Sequence, residues 1–251
     1  MPRRRRGWLG RACYHVTHRC HDGEFLFRFR KYRDFYVSGL YEMKVRYGVD
    51  VLDYMVTSNH VHLLLASREG AEISAGLRYL HGRMGQWHNG ERDAAGAFWS
   101  DRFHATRIQD GAHLGRCLFY IDLNMVRAGV VKDPADWEHT AYHEFVGERK
   151  RYRIVNQRRL LACLMMGMGD LEQFREWYLK TLNGKLLRRE LQREAFWSRA
   201  AAVGDADWLK ARADDFGLRR GQVVEADDCH YLVGKAPNER RPKCLAQESP
   251  G

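Results

Sequence analysis

Apolar positions recur along this chain with two periods, and their alternation lays out the first half of a fold. Residues 31–47 (KYRDFYVSGLYEMKVRY) place Phe35, Tyr36, Leu40, Met43 and Tyr47 near one face of a 3.6-residue turn, which predicts a helix. Residues 49–56 (VDVLDYMV) and 60–67 (HVHLLLAS) read as strands joined by a Thr-Ser-Asn turn, and 13–19 (CYHVTHR) reads as an earlier strand. A helix is predicted over 71–88 and a strand over 103–109. A last helix should run from an Asp110 N-cap to about Ala128, with Gly129 at its end and Pro134 beyond. The order is strand, helix, strand, strand, helix, strand, helix. Its first six elements make a ferredoxin-like βαββαβ sheet of the α+β class, and the seventh is an added helix that carries Tyr120.

From Glu148 the pattern changes. ERKRYRIVNQRRL is strongly basic, 170–182 and 205–215 have helical character, and KAPNERRPKCLAQESPG reads as a disordered tail. Two units are therefore expected: 1–147, and a basic, mostly helical C-terminal extension over 148–251.

Composition narrows the class. Hydrophobic residues make up 45%, enough for a core, and a formal net charge of +10 favours a polyanionic partner. Arg3, Arg4, Arg5, Arg6 and Arg11 form a phosphate-seeking N-terminal arm. The six cysteines include no CxxC pair, which suits a reducing compartment. The basic start is followed by RACYHVTHRC rather than an apolar stretch, and no apolar run is long enough to span a bilayer. A soluble cytoplasmic protein without a membrane partner is expected.

The chemistry concentrates in two places. In a strand, His60 and His62 project from one face together with Leu64, so both imidazoles can meet one ion. Alone, HxH is better read as two ordinary strand histidines at a sheet surface. In the last helix, His113, Arg116, Tyr120, Asn124 and Arg127 form a stripe beside the apolar face of Leu114, Cys117, Leu118, Ile121 and Met125. Tyr120 and Asn124 stand one turn apart. An Asn124 oxygen would complete a metal site with the imidazoles, and a phenol beside a metal-bound phosphate is a nucleophile. A zinc reading of Cys13, His15, His18, Cys20 and His21 fails on alternation, which sends Cys13 and His15 to one face and His18 and Cys20 to the other.

Four stretches carry a resemblance to a known family: YHVTHR (14–19), SNHVHLLL (58–65), FWSDRFHATRI (98–108) and YIDLNMVRAGVV (120–131). Over roughly residues 8–147 the chain resembles the HUH-type single-strand transposases with one catalytic tyrosine, especially the bacterial REP-associated tyrosine transposases. The resemblance implies that Tyr120 attacks a DNA phosphate and becomes linked to its 5′ side. It also implies that His60, His62 and Asn124 hold Mg2+ or Mn2+. The substrate it implies is single-stranded or hairpin (REP-like) DNA in a bacterial, nucleoid-associated setting, with the protein a monomer or homodimer. Cys20 stands where the family commonly has glycine, and Ser58 and Met125 where it has proline. Arg102, Arg116, Arg127, Arg151 and Arg153 are the expected DNA phosphate contacts, whereas Trp99 and Phe103 read as packing residues. The competing reading is a non-catalytic single-strand-binding regulator built on the same sheet.

Overall fold

The computed structural model describes residues 8, 10–93, 95–148, 152–216, 221–226 and 229–234. The arginines at 3–6, Arg151 and the predicted tail from 235 lie outside the described residues.

The predicted order is observed: β1 (Cys13–Arg19), α1 (Arg30–Tyr47), β2 (Asp50–Val56), β3 (His60–Ala66), α2 (Ala71–Arg92), β4 (His104–Ile108) and α3 (Ala112–Asp122). Gly48 ends α1 in the left-handed region (φ 66°), which glycine enters without a Cβ clash, and lets the chain turn directly into β2. β1 pairs antiparallel with both β3 and β4, and β3 with β2, giving the ferredoxin-like order β2-β3-β1-β4. Among the described residues, no helix is long and apolar enough to cross a membrane.

Register decides which side chains share a face. Thr17 lies opposite His62 and His15 opposite Leu64, while on the other flank Thr17 lies opposite His104 and His15 opposite Thr106. Cys13, His15, Thr17, His60, His62, His104 and Thr106 therefore point to one side. Val16 and His18 point to the other; there His18 meets His81 of α2, whose ring lies against Tyr36 of α1.

The last predicted helix differs in two ways. Gly111 (φ 83°), not Asp110, occupies its N-cap, and no side chain caps it. The Gly111 N–H instead donates to the Cys163 carbonyl (2.8 Å), and the Asp110 carboxylate turns toward Cys13 and Cys163, the three ligand-type atoms lying within 4.8 Å of one another. The helix is also interrupted at Leu123 (φ −83°, ψ 3°) and resumes as α4 (Asn124–Arg127). At the interruption the Tyr120 carbonyl accepts from Arg127 Nη2 (3.1 Å).

The extension holds more than helices. After α5 (Tyr142–Phe145) come α6 (Gln157–Leu164), α7 (Leu171–Leu187) and α8 (Ala206–Arg212). Three strands also form: β5 (Ala202–Gly204), β6 (Gln222–Ala226) and β7 (Cys229–Val233). They continue the sheet as β4-β5-β7-β6, with β5 parallel to β4. No sequence period announced them, because β5 is too short for alternation to register. The extension expected to be mostly helical therefore also contributes strands: among the described residues, one seven-stranded mixed sheet takes strands from both sides of residue 148.

The margin of β2 is covered from within the chain. Val56 N–H donates to His139 O (2.9 Å), Ala141 N–H to Tyr54 O (2.9 Å) and Asn156 N–H to Val51 O (2.7 Å). The buried Glu144 carboxylate anchors this cover, accepting from Ile154 N–H (2.9 Å), Val155 N–H (2.9 Å) and the Tyr54 hydroxyl (3.3 Å). Glu144→Ala leaves two backbone donors unpaired, so urea unfolding should lose about 3 kcal/mol. A change below about 1 kcal/mol would remove Glu144 from that anchoring role.

Candidate active site at the histidine strand and the tyrosine helix

Strand β3 and helix α3 deliver their polar residues to one place. The rings of His60 and His62 lie 4.8 Å apart, and the Tyr120 ring lies 6.0 Å from that of His62 within the same chain. Asn124 follows across the interruption, its Nδ2 at 3.0 Å from His62 Nε2. The four residues singled out for metal and nucleophile thus converge as expected.

The hydrogen bonds fix which atoms are presented. His60 Nδ1 lies 2.7 Å from Asn59 Oδ1, an acceptor, so that nitrogen carries the proton and Nε2 offers its lone pair. Thr57 Oγ1 also touches His60 Nδ1 (2.9 Å) and accepts from the His60 N–H (3.1 Å), holding the ring at the strand entrance. Two imidazole nitrogens and a carboxamide form a donor set that suits a divalent cation of the Mn2+ or Mg2+ type, with room for phosphate and water.

Burial keeps these imidazoles neutral. It pushes His15 down to about 3 and His60 down to about 4, and holds His62 well below the usual histidine range. Repulsion that each protonated ring would meet from like charges adds to this: from protonated His104 and His60 for His15, and from Arg19 and Arg193 for His60. The unfolded chain titrates its histidines near 6.5, above the folded values, so it binds more protons than the folded chain in between. The stability these groups confer is present above pH 6.5 and is lost as pH falls toward 4. At pH 5, fully buried His15 alone should cost about 2 kcal/mol relative to pH 7.5. Thermal melts of the metal-free protein over this range should show a steady fall; a flat profile would contradict neutral burial.

Tyr120 is 7% exposed. Burial raises its phenol above the ordinary tyrosine value, opposed by Arg127, whose guanidinium sits 4.4 Å from the ring centroid. The phenol hydrogen-bonds with Ser198 and its ring packs on Trp197 at 5.8 Å. Both belong to the extension, as does Glu194, which pairs with Arg116 and accepts from Trp197 Nε1 (2.6 Å). Arg116 therefore already has a carboxylate partner. The remaining stripe member, His113, bonds Asp205 (3.0 Å) and stands outside the cluster.

Other expected residues fall elsewhere. Arg102 and Arg153 are exposed; the Arg153 carbonyl accepts from Lys44 Nζ (2.9 Å). Trp99 stacks on His18 at 4.0 Å and donates to the His81 carbonyl (3.0 Å), so it packs as expected, and Phe103 packs beside the same rings. Cys13, His15, His18 and Cys20 do not gather around one point, since His15 turns to His62 and His18 to His81. Sequence reasoning missed His15 as a partner of His62, and the segment from Glu194 to Ala200. The first was available from register, because β1 beside β3 puts His15 on the face of His62. The second carried no periodic signal.

A protein-family model described as "Transposase IS200 like" matches residues 10–124, the segment that supplies His60, His62, Tyr120 and Asn124. Over this span, a little under half of the chain, the sequence is similar to the IS200-like transposases. IS200-like transposases are tyrosine nucleases that act on single-stranded DNA, and HUH enzymes typically use a divalent metal. The chain is similar in structure to a REP-associated tyrosine transposase solved bound to a REP hairpin. That match has 18% identity and a TM-score of 0.51, and covers 61% of this chain and 90% of that one. At this identity the likeness is one of fold. A Deinococcus radiodurans R1 protein described as a candidate transposase matches with 16% identity and a TM-score of 0.33, over 41% of this chain and 84% of that one. No curated protein matches this sequence.

Proposed function

We propose that this protein cleaves and rejoins single-stranded DNA beside a hairpin through a 5′-phosphotyrosine on Tyr120. The observation that carries this reading is the meeting of the Tyr120 phenol with His60, His62 and Asn124 inside one chain. His60 and His62 would hold a divalent cation through Nε2, and Asn124 through its amide oxygen. Bound there, the cation would neutralise charge building on the non-bridging phosphate oxygens.

Tyr120 Oη attacks phosphorus, the Oη–P bond forms and the bond to the departing 3′ oxygen breaks. The phenol proton passes to solvent, and the 3′ oxygen ends as a hydroxyl. Arg127, against the ring, stabilises negative charge on the phenol and offsets part of the cost of its burial. A 3′-hydroxyl from another end reverses the step and rejoins the strand, so no nucleotide energy source is needed. Because the groups meet in one chain, a single protomer suffices for cleavage.

A cleft of about 680 Å3 opens at Tyr120, lined by Arg116, Phe119, Arg127, Lys185, Arg193 and Phe196 among others. We assign it to the strand flanking the scissile phosphate, with cations for the backbone and rings for unpaired bases. Residues 1–147 then supply the chemistry, and described residues of the extension, from Met166 to Ala226, supply the far wall of the cleft. Hairpin DNA as substrate is supported by the REP hairpin bound to the relative of the same fold.

The test is covalent capture. A hairpin with a labelled single-stranded flank and Mn2+ should yield a protein–DNA adduct stable to denaturant. A protein that binds the hairpin but never becomes linked to it is the regulator of the competing reading.

A further inference from the structure

We infer that His15 is a positioning residue for the metal site, and that it is itself set by a backbone carbonyl of the C-terminal extension. The inference rests on the metal-site reading above. Its carrier is a chain of hydrogen bonds in which each donor dictates the next.

The chain begins at the Trp197 carbonyl, which can only accept. It lies 2.9 Å from His15 Nδ1, across 182 positions of sequence, so Nδ1 carries the proton. His15 is fully buried and its ring bonds no carboxylate, so it is the neutral tautomer with a lone pair on Nε2. That lone pair faces His62 Nδ1 at 2.8 Å, which makes His62 Nδ1 the donor. His62 Nε2 is then left as a lone pair, directed to the side of Tyr120 and Asn124. The Asn124 amide fits this arrangement: its Nδ2 stands 3.0 Å from His62 Nε2, as an N–H donor to a lone pair should. The opposite His62 tautomer would require the Asn124 amide to turn its oxygen toward the ring.

One carbonyl thus fixes His15, His62 and the Asn124 amide together. The His62 Nε2 lone pair, which accepts from Asn124 Nδ2 in the metal-free chain, and the Asn124 oxygen are then the electron pairs a cation would take up. A ligand imidazole is commonly oriented by a partner on its second nitrogen. Here that partner is a histidine on a neighbouring strand, held in turn by a residue beyond the segment that matches the family. The carbonyl is well secured. Thr106 Oγ1 donates to the carbonyls of Trp197 (3.1 Å) and Ala200 (2.8 Å), and Trp197 Nε1 is tied to Glu194 (2.6 Å). The same turn supplies Ser198 to the Tyr120 phenol. The extension therefore bears on both halves of the site, the metal ligands and the nucleophile.

Two measurements on the full chain test this. In the metal-free, 15N-histidine-labelled protein, long-range 1H–15N correlations should show His62 protonated at Nδ1 and bare at Nε2. A His62 ring protonated at Nε2 overturns the proposal with no variant needed. The second reads Mn2+ affinity by electron paramagnetic resonance without DNA. His15→Phe keeps a ring but removes the acceptor, and affinity should fall about 10- to 100-fold. His15→Gln restores an oxygen acceptor and an N–H donor, and should return affinity to within a few-fold of wild type. Wild-type affinity in a folded His15→Phe protein overturns the proposal; if that variant does not fold, the tautomer of the wild-type ring decides. Should the wild-type protein bind no Mn2+ at all, the metal-site reading falls, and the tautomer measurement still judges the hydrogen-bond chain.

Discussion

Tyr120→Phe protein should fold, bind hairpin DNA and form no covalent adduct. The phenylalanine ring retains the packing against Trp197 and His62 and gives up the hydroxyl's bond to Ser198. The cost to stability should stay near 1 kcal/mol. The cost to chemistry should be at least about 10^4-fold, the scale of losing a covalent nucleophile. The label position adds a check of polarity. A 5′-phosphotyrosine retains the DNA on the 3′ side of the cut, so a 3′-end label should migrate with the protein and a 5′-end label should be released. Capture of the 5′ label would rule out the proposed linkage, and an undiminished adduct from Tyr120→Phe would rule out the nucleophile.

The second large effect belongs to His62. His62→Ala removes one proposed ligand and also strands two neighbours, His15 Nε2 and Asn124 Nδ2, which lose their shared partner. Mn2+ affinity should drop at least about 100-fold, beyond the loss from changing a supporting residue alone, and adduct formation should vanish at any practical Mn2+ concentration. His60→Ala provides the comparison. It removes a proposed ligand whose ring is held locally by Thr57 and Asn59, so metal affinity should fall without disturbing the bonds around His15. Unfolding midpoints of the two metal-free variants separate these roles: His62→Ala should melt lower than His60→Ala. If both bind Mn2+ like the wild type, the cation is held elsewhere.

Much of this arrangement was legible in the sequence, and the reasons are local. Elements β1, α1, β2, β3, α2 and β4 appear within a few residues of expectation because each is long enough for its period to register. Strand alternation alone put His60 and His62 side by side, and one helical turn alone paired Tyr120 with Asn124. What escaped depended on tertiary contacts. Asp110 had the chemistry of a cap, but its carboxylate found Cys13 and Cys163 instead. The interruption at Leu123 has no proline or glycine to announce it; there the Arg127 side chain occupies the Tyr120 carbonyl. β5 is a three-residue strand that exists because β4 and β7 flank it. The turn carrying Trp197 and Ser198 has no repeating pattern, and its importance comes from a carbonyl, which every residue possesses.

The cover over β2 has a bearing on solubility. A bare outer strand is a template for cross-chain β-pairing and hence for aggregation. Here His139, Ala141 and Asn156 of the same polypeptide already occupy backbone groups of that strand. A neighbouring molecule that tried to add a strand there would first have to strip away a segment anchored by a buried carboxylate, so this flank is guarded against polymerisation even at high protein concentration.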